Sequence, residues 1–274
     1  MSWRGATVTR SGKTLGALAA LLATTSTVLA PKAVASAPAF CDELQANWEG
    51  QRCTTLVVSP RKAERYIAFD LPEAMLDDAA TGPVLRDFYR RLMSGWRSSG
   101  AEAMRDSSAV AYYESLPGPG AVQSLVVHEC LEPFGMQANN AYRTFVFDMA
   151  TGRRLALGDL FKPDVDPMTV IAAAADPVLP AALDAAAPPH APNTYPFTVE
   201  EFAPSSRGSG YTSDYRAFAL TPDQLVLYLP DAPLLRENPQ PADRFVWSMD
   251  GGAVVARVPL ASLSPALRPE YGGI

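Results

Sequence analysis

The 274 residues are 48% apolar and 19% charged, a composition that fills a sizeable core and excludes a chain disordered throughout. With 29 acidic against 23 basic side chains the net charge is −6. This acidic balance repels phosphate backbones and anionic lipid, so nucleic acid is excluded as a partner and bulk-charge attachment to membranes is disfavoured.

The first 35 residues read as a signal peptide. Arg4, Arg10 and Lys13 form a basic n-region, residues 15–30 are apolar but interrupted by Thr24, Thr25, Ser26 and Thr27, and Ala33-Val34-Ala35 is an A-x-A cleavage signal. The apolar stretch is too short and too threonine-rich for a span, which needs about 20 strongly apolar residues. Cleavage after Ala35 removes four basic residues and no acidic one, leaving nineteen basic against twenty-nine acidic, a net charge of −10. Phe40, where a small residue is required, argues against lipidation at Cys41. The mature chain, 36–274, is expected outside the cytoplasm as one domain with halves 36–137 and 138–274. Disulfides are permitted there, and Cys41 and Cys53 flank a polar loop in which Gly50 supplies the turn. They are expected to pair. Cys130 then remains, read as a buried strand thiol within the apolar run 124–131 rather than as a reactive group.

Along the chain, 65–70 alternates as a strand. Val84, Phe88, Leu92 and Trp96 recur every four residues, which predicts a helix over 83–97 with Pro83 in its first turn. Residues 108–115 and 121–131 read as strands joined across Pro117-Gly118-Pro119-Gly120. A hairpin over 142–149 and 154–157 turns at Thr151-Gly152. Asp166-Pro167 caps a helix, and Asp176-Pro177 is read as the cap of a second helix running to about 186. Residues 187–213 form a long loop rich in Pro, Ser and Gly. A second hairpin, 215–220 and 224–229, precedes a strand over 253–258 and a short helix over 262–267. Antiparallel pairs with helices between them define an α+β fold.

No residue set makes a convincing active site, and neither a catalytic residue nor a cofactor is expected. A Ser-His-Asp hydrolase of esterase type is the enzyme reading. Its base would be His128, inside a strand, or His190, in the long loop, and Gly208-Ser209-Gly210 lacks the full nucleophile-elbow pattern. Zinc lacks ligands at short spacing. Asp159, Asp164 and Asp166 suit a hard cation only loosely and miss the EF-hand spacing. Glu200-Glu201 and Asp77-Asp78 read as solvated carboxylates. Arg86, Arg90, Arg91 and Arg97 on the predicted helix form either a wet face or a stripe for an anionic ligand.

Four segments carry a family resemblance. The first is Phe40-CDELQANWEGQRC, with eleven residues between its cysteines and Gly50-Gln51 before the second. The others are the block 141–171 (AYRTFVFDMATGRRLALGDLFKPDVDPMTVI), the block 215–237 (YRAFALTPDQLVLYLPDAPLLRE), and 257–265 (RVPLASLSP). In this order they resemble the secreted mycobacterial immunogenic antigen family over nearly all of 40–267. More distantly they are similar to the extracellular domain of the lysozyme-sensing anti-sigma factor of bacilli. The chain departs from the pattern in its longer 187–213 loop and in Ala232-Pro233, where the family carries an acidic residue. The resemblance implies secretion, immunogenicity, a compact fold with a β-grasp-like sheet and packed helices, and no established catalytic motif. Together with the Ala, Arg and Pro bias it implies an actinobacterial host. The distant relatives bind lysozyme, so the resemblance implies a protein partner by analogy. The function expected is that of a secreted, non-catalytic binding or antigenic protein.

Overall fold

The computed structural model describes residues 36–134, 139–186, 191–192, 215, 217–230 and 253–274. His190, Glu200-Glu201, Gly208-Ser209-Gly210, Ala232-Pro233 and residues 1–35, read above as a signal peptide, lie outside the described residues.

A seven-stranded sheet runs in sequential order: β1 (Asn47–Trp48), β2 (Arg52–Val58), β3 (Glu64–Asp70), β4 (Ser107–Pro117), β5 (Val122–Pro133), β6 (Asn139–Asp148) and β7 (Arg153–Arg154). Every neighbouring pair is antiparallel except β3 and β4. Those two are parallel because the long helix α3 (Gly82–Ala101) crosses between them, the connection that parallel strands require. The sheet is therefore mixed, and the fold is α+β as the sequence predicts.

One face of this sheet is covered by α1 (Ala37–Glu43), α2 (Glu73–Asp77) and α3. The four-residue spacing on α3 buries Leu85, Phe88, Tyr89, Leu92, Met93 and Trp96 against Ile67, Phe69, Leu125, Phe145 and Phe147, each such side chain contributing about 1.5–3 kcal/mol. The helix enters against α2 at Gly82, where an added Cβ would stand 2.3 Å from the Leu76 carbonyl oxygen. At its other end the buried Arg65 donates Nη1 to the Trp96 carbonyl at 3.1 Å and Nε to Ser107 Oγ at 2.9 Å, placing a cation at the helix C-terminus.

The second layer is a three-stranded antiparallel sheet in the order β10 (Ala253–Pro259), β9 (Gln224–Pro230), β8 (Phe218–Leu220). With α4 (Pro167–Ala175), α5 (Leu179–Asp184) and α6 (Leu260–Leu263) it encloses a second core around Leu160, Phe161, Ile171, Leu225, Leu227, Val254 and Val258. It also covers part of the large sheet's outer face. The Phe218 N–H donates to Thr144 Oγ1 at 3.0 Å and the Leu220 N–H to Ser124 Oγ at 2.9 Å.

Asp166 caps α4 as read from the sequence, its carboxylate accepting from the Met168 N–H at 3.1 Å. Asp176 does not cap the next helix. It closes α4, its N–H bonded to the Ala172 carbonyl, and α5 begins at Leu179 with no side-chain cap. The last helix starts at Leu260, two residues earlier than its sequence reading, because β10 runs straight into it. Cys41 and Cys53 are disulfide-linked with Cα atoms 5.6 Å apart. The segment between them, read as a polar loop, holds the end of α1 and the β1–β2 hairpin, whose turn uses Gly50 at φ 80.

Candidate functional site

Side chains alternate across a strand, so residues of one parity on β2 to β6 form the outer face, away from the helices. The register aligns Leu56, Tyr66, Ser108 and Glu132 in one row, and Thr54, Ala68, Val110, Cys130 and Asn140 in the next. Tyr112, His128 and Tyr142 follow in a third. The small sheet covers the rows beyond, where Val126 and Tyr142 pack on Ala217, Ala219 and Tyr228. The half toward β2 stays open. Leu56 is 53% exposed, Val58 55%, Tyr66 44% and Tyr112 49%, and Phe134, one position beyond β5, is 60% exposed. These make up five of the eight large hydrophobic side chains exposed among the described residues. Apolar side chains gathered on one surface mark an interaction site, whereas scattered ones need no explanation. Exposed Glu64, Asp106, Glu114 and Glu132 lie on or beside this half-face.

Where the open half meets the covered half, aromatic rings form a ladder. Tyr112 meets His128 edge-on at 4.6 Å, His128 stacks on Tyr142 at 4.7 Å, and Tyr142 stacks on Tyr228 at 5.2 Å. His128 is thus a strand-face side chain, 8% exposed, and Asn140 beside it is 1% exposed. Neither imidazole nitrogen nor Asn140 Nδ2 meets a hydrogen-bond partner among the described residues. Burial holds the His128 pKa below its ordinary value, and the neighbouring Asn140 side chain opposes this in part. Burial thus favours the neutral imidazole, and among the described residues no serine hydroxyl hydrogen-bonds to it. Burial, and then the neighbouring Glu132, raise the Cys130 pKa, so this half-buried thiol is not activated as a thiolate. Tyr228 is pushed up to about 12, mainly by burial.

The other candidates act as struts. Arg86 is buried and donates to the Leu76 carbonyl at 3.1 Å and to Asp77 at 3.1 Å, with Phe40 beneath it at 4.9 Å. Arg90 pairs with Glu43 at 2.6 Å, Arg91 with Asp87, and Arg97 donates to the Gln45 carbonyl at 2.7 Å. Arg86 ties α2 to α3, Arg90 ties α1 to it and Arg97 holds the turn after α1, while Arg91 pairs within α3 itself. Asp78 accepts from the N–H groups of Ala80 and Thr81 ahead of α3, a turn role rather than the solvated one read from the sequence. Asp159 pairs with Arg153 at 3.0 Å and accepts from the Ala156 N–H at 2.8 Å, while Asp164 is exposed. Among the described residues no three His, Cys, Asp or Glu side chains gather where they would hold a metal ion.

Sequence reasoning missed the outer-face set and the buried pair behind it. Arg143 and Glu129, 5% and 2% exposed, meet at 3.1 Å on the helix-covered face. The available signal was Tyr66 and Tyr112 standing at solvent positions of otherwise alternating strands.

No helix among the described residues is long and apolar enough to cross a membrane. The Cys41–Cys53 disulfide is compatible with an extracellular protein. No curated protein matches the chain. A family model described as "Mannan-binding protein" matches residues 30–67, a short segment reaching from before α1 into β3. Among solved structures, a DUF3298 family protein from Pseudomonas aeruginosa PAO1 is similar at 14% identity and a TM-score of 0.47, over 84% of this chain and 99% of that one. A member of the same family from Bacteroides fragilis is similar at 13% identity and a TM-score of 0.43, over 80% and 92%.

Proposed function

We propose that the mature chain is an exported, non-catalytic binding protein of the immunogenic-antigen type, and that it engages a basic protein partner through the open half of the seven-stranded sheet. The observation that carries this reading is the concentration of Leu56, Val58, Tyr66, Tyr112 and Phe134 on that half-face with exposed carboxylates around them. Tyrosines on a sheet face supply area at low entropy cost, and the exposed carboxylates of Glu64, Asp106, Glu114 and Glu132 favour basic groups opposite them, while Arg61 and Lys62 stand at one end. Catalysis by His128 is poorly supported, because its ring is packed between Tyr112 and Tyr142 and neither ring nitrogen meets a hydrogen-bond partner among the described residues.

Lysozyme, a basic secreted protein and the partner implied by the resemblance to the anti-sigma domain, is the first probe. The exported protein is expected to begin at Ser36 and to retain lysozyme at micromolar concentration. Tyr66→Ser with Tyr112→Ser should abolish retention while the chain stays folded, with a small fall in melting temperature from the lost Tyr112–His128 ring contact. Immobilised mannan is the parallel probe, because the mannan-binding match covers β2 and most of β3. Retention by mannan alone would replace a protein partner with a saccharide, and retention by neither would refute the proposed partner class.

A further inference from the structure

Among the described residues, β2 is bordered on both sides for only part of its length. β3 runs beside it from Arg52 to Val58, but on its outer side β1 pairs only at Cys53 and Thr54. The chain turns off that edge before Asn47, where Gln45 takes φ 55 and Arg97 holds its carbonyl. The Ser59 N–H bonds to the Ala63 carbonyl at 2.9 Å. Alternation along an antiparallel pair then turns the backbone groups of Thr55 and Val57 toward β3, and those of Leu56 and Val58 outward. The same two residues expose their side chains, with Tyr66 aligned beside Leu56. Edge strands are ordinarily blunted by charge, proline or a bulge. Residues 54–58 contain no charged residue and no proline, and they pair with β3 without a bulge.

We infer that this open length of β2 receives an extended segment of the partner as an added strand. The inference rests on the reading of the open half-face as the binding surface and names how the partner is held. Backbone groups at Leu56 and Val58 are complementary to another backbone in β conformation, and the adjoining Leu56, Val58 and Tyr66 side chains suit alternate apolar residues on it. A second copy fits poorly. Pairing two β2 strands across Leu56 or Val57 would bring Val58 or Pro60 onto Thr54, the position that β1 occupies, and pairing across Val58 would set Pro60, which has no N–H, opposite Leu56. The ends of the open stretch are charged: Arg61 and Lys62 lie beyond Val58, and Glu49 lies beside Thr54 with its carboxylate 2.8 Å from Thr54 Oγ1. An antiparallel segment that begins with an acidic residue and ends with a basic one matches both ends.

The test titrates acetyl-Glu-Thr-Val-Thr-Val-Lys-amide into the 15N-labelled exported protein. Shift changes should centre on the Leu56 and Val58 amides. Methylating the peptide nitrogens at alternate residues should weaken binding at least about tenfold in one of the two possible registers. Val58→Pro removes one outward N–H without touching the ladder to β3, so the variant should keep its melting temperature and lose binding by about the same factor. Leu56→Lys is a second variant with the same expectation. Binding indifferent to these changes, or no shift at Leu56 and Val58 at millimolar peptide, overturns the added strand. Lysozyme capture that depends on Tyr66 and Tyr112 but not on Val58→Pro would overturn it alone and leave the partner surface standing. Peptide binding without lysozyme capture would do the reverse.

Discussion

Reducing the Cys41–Cys53 disulfide isolates one stabilising term that can be worked out from the fold. The bond closes a loop with a sequence separation of 12. The chain-entropy relation assigns such a loop about 3 kcal/mol, through restriction of the unfolded chain. Both cysteines are fully buried beside Phe40 in the helix-side core. α1 has only seven residues and would not persist alone in water. What else holds it is Phe40 under Arg86 and Arg90, and the half-exposed Glu43–Arg90 pair, worth at most about 1 kcal/mol. Guanidinium unfolding of the chain 36–274, followed by tryptophan fluorescence with and without reductant, should show a loss of about 2–4 kcal/mol on reduction. A Cys41→Ala, Cys53→Ala double variant should match the reduced protein and ignore reductant. Protease should then cut first within α1. A loss below about 0.5 kcal/mol, or a reductant effect that persists in the double variant, would refute the reasoning.

The Glu129–Arg143 pair should behave as a buried charge pair. Arg143→Met is expected to cost about 3–5 kcal/mol, and the Glu129→Leu, Arg143→Met double variant much less, as a double-mutant cycle in urea would show; equal losses for single and double variants would argue against coupling. His128 sets a pH dependence. Its folded pKa lies below the unfolded value of 6.5, so the unfolded chain binds the proton first. Stability should therefore be complete above about pH 6.5 and fall as pH drops from there through the folded value. His128→Phe should flatten that slope in urea titrations, and an unchanged slope would assign it to other groups.

Much of the fold was legible because its signals are local. The period of four in α3, the Asp166-Pro167 start of α4 and the Pro117 to Gly120 turn each act within a few residues, and each appears in the structure. β2 was missed because Cys53 and Thr54 are both buried and break the alternation that marks a half-covered strand. The parallel join of β3 to β4 was missed because hairpin signals report neighbours in sequence, and this pair meets only after α3 has crossed the sheet. Asp176 was read as a cap on residue type, but the backbone of α4 runs on through it.

The amino-acid sequence by itself determined the class of fold, the acidic balance and the cysteine pairing, since each depends on residue identity or short spacing. Only tertiary structure decided which faces stay uncovered. Tyr66 and Tyr112 are ordinary strand residues until the small sheet settles over one half of the larger one and leaves the other open. The α3 arginines likewise have no assigned work until α1 and α2 pack beside them. Coverage is a property of layers that meet across a hundred residues, and no local pattern in the chain encodes it.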